Sequence, residues 1–224
     1  MLNNNPFAIG WESVKANLRP MLVLWAIAAA TVFAYYLVPG VATALKPVGE
    51  WQERAGWIAA FANCAFFCGV LPYVVYLCKG RTGPRHPLLT AILQSLFVGV
   101  CGIACNWFFG LQSLWFGDDH NLSTLILKTA VDQFAWTVLL VSPLSSVFYL
   151  WLGCDFSLAT TVSRCKAGFV RNVMLPNLVS GWCVWIPVIF TVYAFPIDLQ
   201  IQIHGLVCAL WTLLCRQIGK RVSA

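Results

Sequence analysis

The sequence predicts an all-α, polytopic membrane helix bundle of about six transmembrane helices, with both termini on the cytoplasmic side. Three observations carry that prediction. The chain has 224 residues, of which 60% are hydrophobic and 10% charged, whereas a soluble domain carries about 25% charged residues. Six windows of roughly 20 apolar residues succeed one another with short connections. The basic residues fall in alternate connections, as the orientation of a multi-span protein demands.

The windows lie at about 20–45, 55–78, 87–114, 125–152, 173–195 and 197–215. The apolar run opening the first, Met21 to Val38, is longer than the roughly 7–15 residues of a signal-peptide core and ends in Tyr35 and Tyr36. A retained helix is therefore expected rather than a signal peptide cleaved near the ATA at 42–44. Residues 1–55 form an N-terminal segment with this extra helix, and 56–224 form the main helical domain.

The second and third windows carry small residues four apart: Gly56, Ala60, Cys64 and Cys68, then Ala91, Ser95 and Gly99. Lipid tails are as apolar as leucine, so close backbone approach along such ridges is what joins membrane helices. The same positions explain the cysteines as small hydrophobes. Cys64 with Cys68, and Cys101 with Cys105, have i, i+4 spacing, but no histidine is near in sequence and no CxxC occurs in a connection. No metal and no cofactor is expected.

The fourth window contains LILKTAVDQFAW at 125–136, which places Lys128, Asp132 and Gln133 beside twenty apolar residues from Phe134 to Gly153. Two readings stay open. Lys128 and Asp132 form an i, i+4 ion pair on an interfacial helix extension, or Asp132 is drawn into the bundle as a buried polar group. The fifth and sixth windows are one apolar run broken by FPID at 195–198, where proline and a carboxylate predict a turn. Pro72, Pro143 and Pro187 fall inside spans and predict kinks.

With this division, Lys15, Arg19, Lys79, Arg81, Arg85, Arg164, Lys166, Arg171, Arg216, Lys220 and Arg221 lie on one side, eleven residues against Lys46 and Arg54 on the other. These dispersed charges orient the chain in a lipid bilayer and do not form a nucleic-acid face.

No nucleophile elbow, HExxH, phosphate loop or kinase set is present. The nearest catalytic candidate is GDDH at 117–120, where Asp118, Asp119 and His120 share a connection. A solvated turn is the simpler reading, and no enzyme is expected. Polar residues within spans are the more informative: Asn63, Gln94, Asn106, Lys128, Asp132, Gln133, Gln200, Gln202 and His204.

Motif order adds a resemblance. Phe97-Val98-Gly99, Trp107-Phe108, Asp132-Gln133, Trp182-x-x-Trp185-x-Pro187, Phe195-Pro196 and Trp211 follow one another as in the family of the 22-kDa peroxisomal membrane protein and the mitochondrial inner-membrane Mpv-type proteins. The resemblance covers about residues 60–218. Departures are Ile186 between Trp185 and Pro187, Gly181 at the family's Asn, Gln200 at its Arg, and Val70 after Gly69 where it has Gly-Asp. Members are small multi-span proteins, several of them weakly selective channels for small solutes.

The resemblance and the polar residues on the spans together point to a small-solute conductor whose polar path holds Asp132, Gln133, Lys128, Asn63, Asn106 and Gln94. Gly99, Trp107, Trp182, Trp185, Pro187, Pro196 and Trp211 are then its structural motif residues. The alternative is a structural or partner-binding membrane protein; a homo-oligomer suits either. A bacterial inner membrane is the expected host and an organelle membrane the alternative, since neither an Arg-rich transit segment nor an SKL ending is visible.

Overall fold

A computed structural model describes residues 7, 11–12, 14–15, 18–79 and 85–222, with side chains described up to residue 210 apart from Pro20 and Lys79. The described residues form helices and short connections, with no strand among them. We number the helices α1 (Leu18–Leu37), α2 (Val41–Ala55), α3 (Trp57–Cys78), α4 (Pro87–Phe116), α5 (Leu122–Gly153), α6 (Leu158–Lys166), α7 (Val170–Tyr193) and α8 (Ile197–Val222).

Four of these, α3, α4, α5 and α7, are long and apolar enough to cross a membrane. The pair α1 and α2 makes a fifth if it is counted as one broken span. The first apolar window is thus not one straight helix over 20–45. It turns by 104° between Leu37 and Val41, at Gly40, whose φ of +88° suits a residue without Cβ. The run from 173 to 215 divides as FPID predicts, with α7 ending at Tyr193 and α8 starting at Ile197. The Leu199 amide donates to the Pro196 carbonyl across that turn at 2.9 Å.

Three helices contain π segments, at Ala65–Val70, Asp132–Val141 and Val170–Met174. Each ends within two residues of a proline: Pro72, Pro143 and Pro176. Proline has no N–H to give the carbonyl four residues back and its ring crowds that carbonyl. Those carbonyls belong to Cys68, Leu139 and Asn172, each inside the π segment, where the backbone widens to i→i+5 bonding. Gln94 of α4 serves the first of them directly, its Nε2 donating to the Cys68 carbonyl at 2.7 Å. Pro187 behaves otherwise: α7 continues helical through it. The neighbouring Val184 carbonyl accepts from Trp25 Nε1 at 3.2 Å.

Helices α3 and α4 meet along the small-residue ridges. Ala60, Cys64 and Cys68 are buried. A Cβ on Gly99 would collide with the Phe61 ring, and one on Gly102 with Cys64 and the Ala60 carbonyl. Gly69 also belongs to this seam, because a Cβ there would sit 2.5 Å from the Ser95 Cα. Such close approach gives dispersion contacts that lipid cannot replace. The α7–α8 hairpin supplies most of the remaining core, including Val188, Val192, Phe195 and Ile201, against Met21 and Leu24 of α1.

Candidate functional site

The site is built where α4, α5 and α7 converge. Asp132 opens the π segment of α5 and is 4% exposed. Its Oδ1 accepts from Gln133 Nε2 at 2.7 Å and its Oδ2 from the Tyr193 hydroxyl at 2.9 Å. Tyr193 in turn accepts from Gln112 Nε2 of α4. Trp182 Nε1 donates to the Gln133 carbonyl at 2.9 Å, locking the α5 backbone to α7 at this level. The chain Gln112–Tyr193–Asp132–Gln133 thus crosses three helices. Gln112, Tyr193, Asp132 and Gln133 are all buried.

Lys128 is not the partner of Asp132. Its ammonium lies 3.4 Å from Asp118 Oδ1 and 5.9 Å above the Tyr193 ring. Asp118 also accepts from Ser113 and is 62% exposed at its side chain, against 3% for Lys128. The i, i+4 pair fails because α5 widens at Asp132, and because the turn at Gly117 brings Asp118 over the buried ammonium. Asp132 is therefore a buried acceptor and not half of an exposed interfacial pair. In the same connection Asp119 accepts from Asn121 Nδ2 at 3.0 Å. The Thr124 hydroxyl, chiefly, with the Asn121 bonds and Lys128, holds the Asp119 carboxyl below its ordinary value of 3.8. His120 packs edge-on to Tyr36 at 5.9 Å. Among the described residues no three His, Cys, Asp or Glu side chains are grouped to hold a metal ion.

A cavity of about 550 Å³ lies beside the Asp132 network. Asp132, Gln133, Thr137 and Gln94 contribute polar groups to its wall, and Phe97, Phe109, Trp136 and Trp185 contribute rings. Tyr149 lines it too and is 47% exposed, so the cavity reaches the bundle surface at that end. Cys64, Cys68, Cys101, Cys105 and Cys208 line the remaining wall with His204. His204 stands 3.8 Å from the Cys208 sulfur. In sequence His204 stands four residues before Cys208, but no histidine is near Cys64, Cys68, Cys101 or Cys105; helix α8 brings His204 to them through packing. All nine described cysteines are free thiols.

Of the expected polar-path residues, Asp132, Gln133 and Gln94 line the cavity, and Lys128, Asn63 and Asn106 do not. Asn63 Nδ2 donates to the Ile201 carbonyl at 2.8 Å, tying α3 to α8. Asn106 accepts from Gln52 Nε2 at 3.1 Å, and Gln52 Oε1 accepts from Gln202 at 2.7 Å, tying α4, α2 and α8. Gln52, Gln112 and Tyr193 are the network residues that sequence reading missed: Gln52 is a glutamine on an otherwise charged, amphipathic helix, and Gln112 and Tyr193 lie within long apolar runs. Among the motif residues, Trp185 lines the cavity, Gly99 is buried at the α3–α4 seam, Pro196 forms the α7–α8 turn, and Trp107 is 60% exposed. The Trp211 side chain lies outside the described ones.

No family model, curated protein or solved structure matches the chain.

Proposed function

We propose that the chain is a multi-span membrane protein that admits small solutes through the cavity beside Asp132 and Gln133, as a conductor of weak selectivity. The observation that carries this reading is a 550 Å³ cavity whose wall includes a buried carboxylate, Asp132. Burying a carboxylate away from water is costly, so such groups within spans mark solute or proton paths. A π segment at the carboxylate adds weight, since π bulges concentrate at functional sites.

In this reading the chain makes six passes with both ends cytoplasmic, the α1–α2 pair and α8 each completing a pass. Contacts between connections are consistent with that. Arg85, after α3, lies 3.8 Å from Asp155, after α5, and both belong to the basic side. Tyr36, at the end of α1, donates to the Ala194 carbonyl at 2.5 Å and packs on His120, grouping three connections of the other side. A remote kinship with the 22-kDa peroxisomal and Mpv-type proteins fits the same arrangement.

Purified protein in planar bilayers is expected to conduct, with the conductance altered in Asp132→Asn. Absence of current or solute flux above empty vesicles would overturn the reading. A second reading, that the polar groups only hold helices together, draws on the Gln52–Asn106–Gln202 and Asn63–Ile201 bonds. It expects Asp132→Asn to lower thermal stability without changing flux.

A further inference from the structure

We infer that the cavity is a binding site for a small monovalent organic cation, a primary ammonium on a compact apolar body. The inference rests on reading the cavity as a solute site; it does not require that the solute be conducted.

Charge is the first reason. Among the described residues, Asp132 is the one carboxylate lining the cavity, and no lysine or arginine lines it. Lys128 is committed to Asp118 and the Tyr193 ring. Asp132 thus has hydrogen-bond donors beside it and no cationic side chain on the cavity wall, so a bound ammonium would supply the counter-charge of its ionised form.

Spare acceptors are the second. An ionised carboxylate offers about four lone-pair sites. Tyr193 and Gln133 hydrogen-bond to Asp132 and leave about two of those sites over. The Gln133 amide turns its nitrogen toward Asp132. The spare lone pairs of the carboxylate suit the N–H donors of an ammonium and repel an anion.

The walls are the third. Trp136 stacks on Phe108 with centroids 4.3 Å apart and planes 7° from parallel, and Phe97 stacks on Phe148 at 3.9 Å and 7°. Each stack fixes a cavity-lining ring and occupies one of its faces, leaving the other for a cation or an apolar body. The thiols opposite are small, polarizable and apolar, and suit the body rather than the charge. The volume lies within the roughly 300–1,000 Å³ of small-molecule sites.

The test titrates the full chain in detergent with benzylammonium chloride and with benzyl alcohol, a neutral probe of similar shape, by calorimetry. Benzylammonium is expected to bind at least ten-fold more tightly. Asp132→Asn should abolish that preference while keeping the affinity for benzyl alcohol. Equal or tighter binding of benzyl alcohol by the wild-type chain overturns the proposal, whether or not the variant folds. Val98→Phe, which adds bulk to the cavity wall, should weaken both probes; unchanged affinities for both would place binding elsewhere and overturn it too. Preferential benzylammonium binding without flux into vesicles sinks conduction and supports this site, whereas flux with no preference for the cation over the alcohol sinks this site alone.

Discussion

Replacing Tyr193 by phenylalanine removes one oxygen and keeps the ring, including its edge-on contact with Phe109 at 5.3 Å. That oxygen holds two bonds, one donated to Asp132 Oδ2 at 2.9 Å and one accepted from Gln112 Nε2. Interhelical hydrogen bonds in membrane proteins are worth about 0.6 kcal/mol on average and up to about 1.7. Two of them give about 1–3.5 kcal/mol. Gln112 is fully buried and its Oε1 is already without a hydrogen-bond partner, so losing the Nε2 bond leaves the whole amide dry. An orphaned buried donor adds at least ~1 kcal/mol. Tyr193→Phe should therefore destabilise the protein by about 2–4.5 kcal/mol, measured by reversible unfolding in mixed micelles with increasing SDS. A double-mutant cycle with Asp132→Asn should show a coupling of about 1 kcal/mol, because the two residues share a bond. A loss below about 0.5 kcal/mol, or strict additivity, would refute the view that Tyr193 anchors the carboxylate.

Three other expectations follow from the same geometry. Asp118→Asn should cost more stability than Lys128→Met, because the first leaves a buried ammonium without its counter-charge and the second leaves an exposed carboxylate in water; equal losses of thermal stability would contradict this. Gln94→Leu strips the Cys68 carbonyl of the donor that replaces the amide missing from Pro72, and should cost about 1–3 kcal/mol in the same unfolding assay. Asp119 titrates below 3.8, so its contribution to stability is fully present above that pH and is lost as pH falls through the lowered value. Thr124→Val should move the carboxyl titration, followed by NMR, upward toward 3.8, and an unmoved midpoint would rule out Thr124 as the main cause.

The long helices were legible because a run of twenty apolar residues has few other uses, and the FPID break because proline and a carboxylate interrupt such a run. The α3–α4 seam was legible from small residues four apart, although Gly69 falls outside that register and shows only through its approach to Ser95. Partner choice was not legible. Lys128 has Asp132 at helical spacing, yet takes Asp118 from ten residues upstream, because a turn at Gly117 and a π segment at Asp132 rearrange the neighbours. Equally hidden was the gathering of Cys64, Cys68, Cys101 and Cys105 around one cavity with His204 and Cys208, since α8 follows α4 only after three further helices and meets it through packing.

The π segment at Asp132–Val141 separates the rotational phases of the two ends of α5. An α-helix advances about 100° per residue, so each residue that a wider turn absorbs rephases everything beyond it. The first turns of α5 and the stretch after Pro143 are thus set in azimuth independently of each other. Shortening the segment by one residue would swing Ser146 and the rest of that helix by about a quarter turn relative to Asp132. The length of the π segment therefore acts as a dial for which side chains share the cavity with the carboxylate.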